Sequence, residues 1–332
     1  MLDPADLFRL EADVRPSSWL PRIGFSGQAT PRPAEEPAAT TMIVALEGFL
    51  DAGQTQRILV DHLLSDDVTV VASFDVDQLL DYRGRRPAMV FEETRYAAYQ
   101  DPSLVLHRLR DRDGQPYLLL HGPEPDYQWE RFIEAVRQLA DRLGVTLVVQ
   151  AHGIPMAVPH TRPVGMTTHT TNERLVGDLK PVFGKVQVPA SVAALLELRF
   201  GEAGRDAVGF SVHVPHYLAQ AEFHDAALTA LNAIVDVSGL NLPNDDLVTA
   251  AGENRAAITA EMGENPEVAE AVGALERQYD RFVEGAGKNL LGTETSPLPS
   301  ADELGAEFED FLRTVADEGE QEGPTDGGPL PR

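Results

Sequence analysis

Between residues 41 and 240, short apolar runs alternate with longer stretches in which apolar residues recur every three or four positions. The short runs are rich in β-branched residues and predict buried strands. They lie at residues 41–49, 68–74, 145–151 and 207–214. The longer stretches have the spacing of amphipathic helices. They lie at residues 52–65, 127–143, 190–200 and 226–237.

Two further strands are predicted at residues 104–109 and 116–121, on either side of the dipeptide Asp113-Gly114. That dipeptide is typical of a tight β-hairpin, so these two strands are expected to pair antiparallel. Strands that alternate with helices otherwise pair in parallel. The pattern therefore predicts an α/β protein, built as a three-layer sandwich around a mixed, largely parallel sheet.

After residue 240 the pattern is helical, with helices predicted at residues 245–262 and 266–284. The second helix carries an apolar stripe along one face. The stripe consists of Val268, Val272, Leu275, Tyr279 and Phe282. It is expected to pack on the α/β body, on the first helix or on another subunit, and the sequence leaves these alternatives open.

The chain is thus predicted to have four parts. They are an N-terminal arm and linker at residues 1–40, an α/β domain at 41–240, a helical appendage at 241–290, and an acidic, mostly disordered tail at 291–332. Proline, alanine and glutamate dominate the linker. The tail mixes glycine, proline and acidic residues, with one short helical stretch expected at residues 303–314.

Composition excludes several classes of function. The net charge is −26, and an acidic surface repels phosphate backbones, so nucleic acid is not an expected partner. The chain has no cysteine, which excludes disulfides, a thiolate nucleophile and cysteine-ligated metals. Without a basic, apolar leader or an apolar run near the roughly 20 residues of a membrane span, a soluble, cytoplasmic protein is predicted.

Two loops carry the candidate chemistry, because ligands of α/β sheets bind beyond the carboxyl ends of strands. The first loop, EGFLDAGQ, contains Glu47, Gly48, Asp51 and Gly53. Backbone amides at the start of the following helix are suited to an anion, and the two glycines permit its approach. Alternatively, Asp51 caps the helix, with Gln54 as its partner in a capping box.

The second loop follows the strand at residues 145–151 and contains His152, His160, Arg162 and His169. Arginine binds carboxylate or phosphate with two parallel hydrogen bonds, and histidine transfers protons near neutral pH. The alternative is that these histidines hydrogen-bond the backbone. The spacing fits no established metal motif, so no metal is expected.

Three nearby residues, His213, His216 and Tyr217, follow another predicted strand. They fit a proline turn with packed aromatic rings; the alternative is that they approach the second loop in space. The sequence contains no GxSxG elbow, GxxxxGK[ST] phosphate loop or GxGxxG fingerprint. No catalytic residue and no cofactor are therefore assigned.

Several long segments resemble the proteasome assembly chaperone 2 family, in its bacterial branch. They are LEGFLDAGQT (46–55), GPEPDYQWERF (122–132), HGIPMAVPHTRP (152–163), VPASVAALLELRFGEAG (188–204) and GFSVHVPHYLAQ (209–220). The resemblance covers residues 41–285. It implies a phosphorylase/hydrolase-like α/β sandwich with a C-terminal helical appendage, and a self-associating protein. For members outside this branch, it implies assembly of proteasome α-rings without nucleotide.

Ring-docking members of that family end in a hydrophobic residue, a tyrosine and one further residue. This chain ends Leu330-Pro331-Arg332, so proteasome docking by that route is not expected. The leading hypothesis is a nucleotide-independent oligomeric scaffold, with three subunits as the working number and an unknown client. The alternative is a small-molecule enzyme or sensor, in which Arg162 holds an anionic group and His160 or His169 acts as base.

Overall fold

A computed structural model describes residues 2–11, 39–48, 50–64, 68–177, 185–263 and 266–289, with side chains to residue 284. Contacts divide the chain into two units: Met1–Leu179 with Ala190–Asp280, and Lys180–Pro189 with Arg281–Arg332. Most of the predicted linker, all of the tail and the stretch at 303–314 lie outside the described residues. The predicted domain boundaries stay predictions.

The first unit contains ten strands and six helices among its described residues, the last helix running on into the second unit. The strands are β1 (Phe8–Leu10), β2 (Thr41–Glu47), β3 (Thr69–Phe74), β4 (Met89–Glu92), β5 (Arg95–Tyr99), β6 (Val105–Arg110), β7 (Pro116–Pro123), β8 (Leu147–Met156), β9 (Met166–Thr170) and β10 (Asp206–Pro215). The helices are α1 (Thr55–Leu63), α2 (Trp129–Leu143), α3 (Val192–Glu202), α4 (His224–Ser238), α5 (Asp245–Gly263) and α6 (Pro266–Asn289).

Eight strands form one sheet in the order β1-β3-β6-β7-β2-β8-β10-β9. The four strands β7, β2, β8 and β10 are parallel and form its centre. Antiparallel strands flank this centre on both sides. The mixed α/β sheet predicted from the sequence is confirmed, and β8 lies in the middle of it as its apolar run indicated.

Helices cover both faces of the sheet, giving three layers. One core contains α2 and α3 packed on residues such as Met42, Val44 and Val148. The other contains α1 and α4 packed on residues such as Ile43 and Val149. Neighbouring residues of one strand enter opposite cores because side chains alternate across a strand. Because both faces of the sheet are buried, strands such as β2 are apolar along almost their whole length.

The predicted Asp113-Gly114 hairpin is confirmed between β6 and β7. Gly114 has a φ of +78°, a backbone conformation that glycine adopts without strain. Asp111 closes the turn, because its carboxylate accepts hydrogen bonds from the backbone N–H groups of Asp113 and Gln115. Its second oxygen accepts from the N–H of Asn241, which ties the segment after α4 to this turn.

Helices α5 and α6 correspond to the predicted helical appendage. Arg255 of α5 makes a two-pronged ion pair with the buried Asp225 of α4. On α6, Val272 is buried, and the hydroxyl of Tyr279 donates to the carbonyl of Pro163 at 3.1 Å. Two residues of the predicted apolar stripe therefore pack within the same chain.

Four of the described strands were not predicted. Strand β1, within the predicted N-terminal arm, extends the main sheet by pairing with β3. Strand β9, within the predicted second loop, forms the opposite edge by pairing with β10. Strands β4 and β5 form a separate two-stranded sheet.

Candidate functional site

Asp51, in the first predicted loop, caps α1. Its carboxylate accepts from the backbone N–H groups of Gln56 at 2.8 Å and Arg57 at 3.4 Å. Burial raises the pKa of Asp51, although the hydrogen bonds from the backbone oppose this shift. The predicted cap is confirmed, but Gln54 is not its capping partner: the Gln54 amide instead faces the carbonyl of Gln220 at 3.4 Å.

Gly48 lies against the buried carboxylate of Glu124, and a Cβ atom at position 48 would overlap that carboxylate. The other oxygen of Glu124 accepts from the N–H of Val192 at 2.6 Å, at the start of α3. The protein's own carboxylate thus occupies the place beside Gly48 where an anion was expected to approach. Glu47 is exposed at the end of β2.

The two predicted loops meet directly. Gly153 of β8 leaves no space for a Cβ atom, which would overlap the carbonyl oxygen of Ala52. The N–H of Gly153 also donates to the carboxylate of Asp51. Gly53 has a φ of +69°, and its N–H donates to the carbonyl of Ala219 at 3.0 Å. Gly153 therefore allows close packing of backbone on backbone, whereas Gly53 allows a left-handed turn beside the side chains of Val214 and Phe223.

His160 is buried, with 3% of its surface exposed, and belongs to a hydrogen-bond chain. Its backbone N–H donates to the hydroxyl oxygen of Tyr217 at 2.9 Å. The same hydroxyl is then free to donate to Nδ1 of His160 at 2.8 Å. Nε2 lies 3.3 Å from Thr259 Oγ1, whose hydroxyl donates to the Arg255 carbonyl at 2.8 Å.

These hydrogen bonds assign the ring proton of His160 to Nε2, because Nδ1 accepts from Tyr217 and Thr259 Oγ1 is free to accept from Nε2. Burial lowers the pKa of His160, although Glu276 and Asp225 partly oppose the shift. The ring is therefore neutral at pH 7, and both of its nitrogens are occupied. The contact joins the second loop to α5.

Arg162 is engaged by α6. Its guanidinium donates two parallel hydrogen bonds to the carboxylate of Asp280, both at 2.8 Å, and a third to Glu276 at 3.2 Å. The hydrogen bonds that Arg162 donates to Asp280 are the main cause that raises the pKa of Arg162. The group expected to bind an anionic ligand thus binds two carboxylates of its own chain.

His152 and His169 lie on the face of the sheet that α3 covers. The Ser211 hydroxyl lies 3.2 Å from Nε2 of His152. Nδ1 of His169 lies 2.8 Å from Glu197 of α3, which also accepts from Gln150 at 2.6 Å. Burial is the main cause that lowers the pKa of His152 to about 4, and the nearby His169 adds to the shift.

His213 lies on the same side of the sheet as His152 and His169, and it too is close to a polar side chain. Thr167 Oγ1 lies 2.9 Å from Nε2 of His213, and burial lowers the pKa of His213. We call these residues the polar face. It consists of Gln150, His152, Thr167, His169, Glu197, Ser211 and His213. Rings are packed closely here, since a Cβ atom at Gly209 would overlap the ring of His169.

The eight predicted residues therefore lie in three places. Glu47, Gly48, Asp51 and Gly53 belong to the junction of the two loops, His160 and Arg162 hold α5 and α6, and His152 and His169 belong to the polar face. Sequence reasoning missed Glu124, Glu197 and Ser211. Ser211 had a signal: in GFSVHV, polar or small residues alternate with apolar ones, which is unusual for a strand buried on both faces.

The described residues contain no cluster of three or more histidine and acidic side chains arranged to hold a metal ion. None of their helices combines the length and the apolar character needed to cross a bilayer. An open cleft of about 340 Å³ lies beside the paired residues of β1 and β3. It is lined by Asp6, Phe8, Arg9, Ser73, Phe74 and Asp75, none of which was predicted as a site residue.

Solved structures resemble the chain over most of its length. A Mycobacterium tuberculosis protein of unknown function is 42% identical, with a TM-score of 0.78, and the match covers 89% of this chain and 95% of that one. A Corynebacterium glutamicum protein of unknown function is 35% identical, with a TM-score of 0.73, over 84% of this chain and 98% of that one.

A third structure is described as a Mycobacterium tuberculosis proteasome-assembly chaperone homologue. It is 27% identical, with a TM-score of 0.63, over 70% of this chain and 99% of that one. The comparison with curated proteins gave no match. The sequence profile of the PAC2 family matches residues 45–262, which is more than half of the chain. This chain belongs to the PAC2 family.

Proposed function

We propose that this PAC2-family chain is an oligomeric scaffold that assists the assembly of other proteins. In this proposal it acts in the cytoplasm and needs neither nucleotide nor metal. The relative described as a proteasome-assembly chaperone homologue supports the proposal, because it is 27% identical and matched over 99% of its length. A scaffold acts through its surface, so its loops are expected to stabilise the body that presents that surface.

The observation that carries the proposal is that the charged side chains predicted to bind a ligand are already hydrogen-bonded to groups of the same chain. Asp51 caps α1, and Arg162 binds Asp280 and Glu276. Glu124 fills the space beside Gly48 and binds the start of α3. A ligand at these positions would have to replace charge-assisted hydrogen bonds that already exist, which opposes its binding.

Native mass spectrometry of the full chain, tagged and purified gently from its own cells, tests this proposal. The expected result is a homo-oligomer that carries other proteins in fixed stoichiometry, which would also identify the client. A monomer without protein partners would contradict it. A homo-oligomer that carries a small molecule and no protein would favour the second candidate below.

The second candidate is a small-molecule enzyme or sensor that uses the polar face. One observation favours it: His152, His169, Ser211 and Glu197 converge on the sheet without contributing apolar packing. Because the pKa of His152 is lowered to about 4, its ring is neutral at pH 7 and can accept a hydrogen bond from a ligand. The expected ligand is small and polar, such as a nucleoside, a peptide or a carboxylate.

Thermal shifts measured with a panel of these three ligand classes test the second candidate. A ligand of the polar face should raise the Tm of the wild type and of His216→Gln, since His216 is exposed and lies outside the face. The shift should disappear in His169→Gln. Equal shifts in His169→Gln and wild type, or no shift with any ligand, would exclude this candidate.

A further inference from the structure

Strand β9 forms one end of the main sheet, and among the described residues no strand pairs with its outer edge. The N–H of Thr171 donates to the carbonyl of Ala207 at the start of β10. Along an antiparallel pair the backbone groups alternate in direction, so every second residue of β9 bonds β10. The N–H and C=O groups of Met166, Thr168 and Thr170 therefore point away from the sheet. We call this row of backbone groups the β9 edge.

The opposite end of the sheet carries exposed charges, and the β9 edge does not. In β1 and just after it, the side chains of Arg9 and Glu11 are 82% and 43% exposed. Charged side chains on an edge strand hinder its pairing with another chain. Between Val164 and Asn172 the sequence is VGMTTHTTN, which contains four threonines and no aspartate, glutamate, lysine or arginine. Threonine favours extended backbone, so this composition suits a strand that accepts a partner strand.

The β9 edge borders the polar face. Thr167 pairs with Ser211, and His169 lies against Glu197, so both side chains of β9 lie on the side of the sheet that α3 covers. A strand added to this edge would place every second side chain directly beside Thr167 or His169, with Cβ atoms about 5 Å apart. The side chain of His169 is 36% exposed and therefore accessible to such a neighbour.

Hydrogen bonding and charge indicate which side chains fit there. Nδ1 of His169 lies 2.8 Å from the carboxylate of Glu197, and an ionised carboxylate only accepts, so a neutral ring carries its proton on Nδ1. Nε2 of His169 is then an acceptor and fits a donating side chain. Glu197 adds a negative charge behind the ring, and the whole chain carries −26. Complementary charge favours a basic segment, with lysine, serine or threonine at alternate positions.

We propose that the β9 edge binds an extended, basic segment of a client protein as a ninth strand of the main sheet. The backbone groups of Met166, Thr168 and Thr170 hold the segment, and its donating side chains contact Thr167 and His169. Incompletely assembled proteins expose unpaired strands, which this edge would cover. The inference rests on the proposed function, because it names the surface through which the scaffold binds the protein that it helps to assemble.

Fluorescence anisotropy of the full-length protein tests the proposal. The probe is a labelled eight-residue peptide in which lysine and threonine alternate with valine. Thr168→Pro removes an N–H that points away from β10, so the sheet loses no hydrogen bond of its own. This variant should keep the wild-type Tm and bind the peptide at least tenfold more weakly. The matched control Thr168→Val keeps the N–H and should bind within twofold of the wild type.

Changes in the peptide test the same contact without altering the protein. Two further peptides carry N-methyl groups on every second backbone amide, one along each edge of the peptide. Strand pairing uses a single edge, so one of these two should bind at least tenfold more weakly than the plain peptide. A peptide with glutamate in place of lysine should also bind at least tenfold more weakly, because it meets an acidic surface.

Three results would overturn strand addition at the β9 edge. They are no binding of the plain peptide by the wild type, equal binding by the wild type and a folded Thr168→Pro, and equal binding of the plain peptide and both methylated peptides. Native mass spectrometry separates these failures from failure of the proposed function. A protein partner that Thr168→Pro retains in full stoichiometry would overturn the β9 edge and leave the scaffold proposal standing. A wild type that carries no protein partner would contradict the scaffold itself.

Discussion

The junction of the two loops and the hairpin of β4 and β5 use their side chains in opposite ways. At the junction, Asp51 and Glu124 accept hydrogen bonds from backbone N–H groups of the same chain. On the hairpin, Phe91 and Tyr96 are exposed, and their rings contact each other edge to face. The first arrangement stabilises the body of the protein, whereas the second leaves large apolar side chains in contact with water.

The largest effect is expected at Gly153, where the loops meet. In Gly153→Ala the new methyl group overlaps the Ala52 carbonyl, and this backbone cannot move without displacing the cap of α1. We expect the free energy of unfolding to fall by about 3 kcal/mol. Urea denaturation measures this loss.

Gly252→Ala is the matched control, since Gly252 lies in α5 with no atom near the position of the new methyl group. This variant should gain up to about 1 kcal/mol from helix propensity. Equal effects of the two substitutions would show that the loops are not packed as described.

A second effect is expected from the pair Gly48 and Glu124. Glu124→Ala removes a buried carboxylate that caps α3 and should cost about 2 kcal/mol. In Gly48→Ala the new methyl group displaces that carboxylate, so each substitution disturbs the same contact. A double-mutant cycle should give a coupling energy of about 1–2 kcal/mol. Additive losses would contradict direct packing of Glu124 on Gly48.

A third effect is a loss of stability when the pH is lowered. The pKa of His152 is lowered to about 4, below its ordinary value of 6.5, so the folded protein binds this proton less readily than the unfolded chain. The contribution of His152 to the free energy of unfolding is therefore fully present above pH 6.5 and is lost as the pH falls toward 4. Between pH 7 and pH 5 the loss should be about 1–2 kcal/mol.

The variant His152→Gln isolates that contribution. Its free energy of unfolding should fall less steeply between pH 7 and pH 5 than that of the wild type, by the same amount. The exposed His216 provides the control, and His216→Gln should keep the wild-type slope. Equal slopes in His152→Gln and wild type would show that His152 is not buried as a neutral ring.

The smallest effect is expected at Arg162, whose ion pairs with Asp280 and Glu276 lie at the surface. Surface pairs contribute little to global stability. Arg162→Lys and Arg162→Ala should both leave the unfolding midpoint nearly unchanged. Hydrogen exchange of residues 266–280 should become faster in Arg162→Ala, since α6 loses its tie to the second loop. Unchanged exchange would show that this contact does not hold the helix.

The sequence predicted the central architecture because its signals there are local and repeated. The apolar run at residues 145–151 identified β8, and Asp113-Gly114 identified the turn between β6 and β7. Strand β1 has only three residues, and its partner β3 lies more than sixty residues further along the chain. Its pairing therefore left no pattern that could be read from neighbouring residues.

The site was predicted less well, because side-chain partners come from distant segments. Arg162 was predicted to hold an anionic group of a ligand, and in the structure its guanidinium binds Asp280 and Glu276 of its own α6. Gly48 was predicted to leave space for an anion, and the side chain of Glu124, 76 positions further along the chain, fills that space. Residue type indicated the chemistry in both cases, and only the fold supplied the partner.

Hydrogen exchange of the full-length protein tests the contrast between the two regions most directly. We expect the amides of Gln56 and Gly153, which donate to the carboxylate of Asp51, to be strongly protected. The amides of residues 89–99 lie on an exposed two-stranded hairpin and should exchange much faster. Equal protection of the two regions would contradict the account.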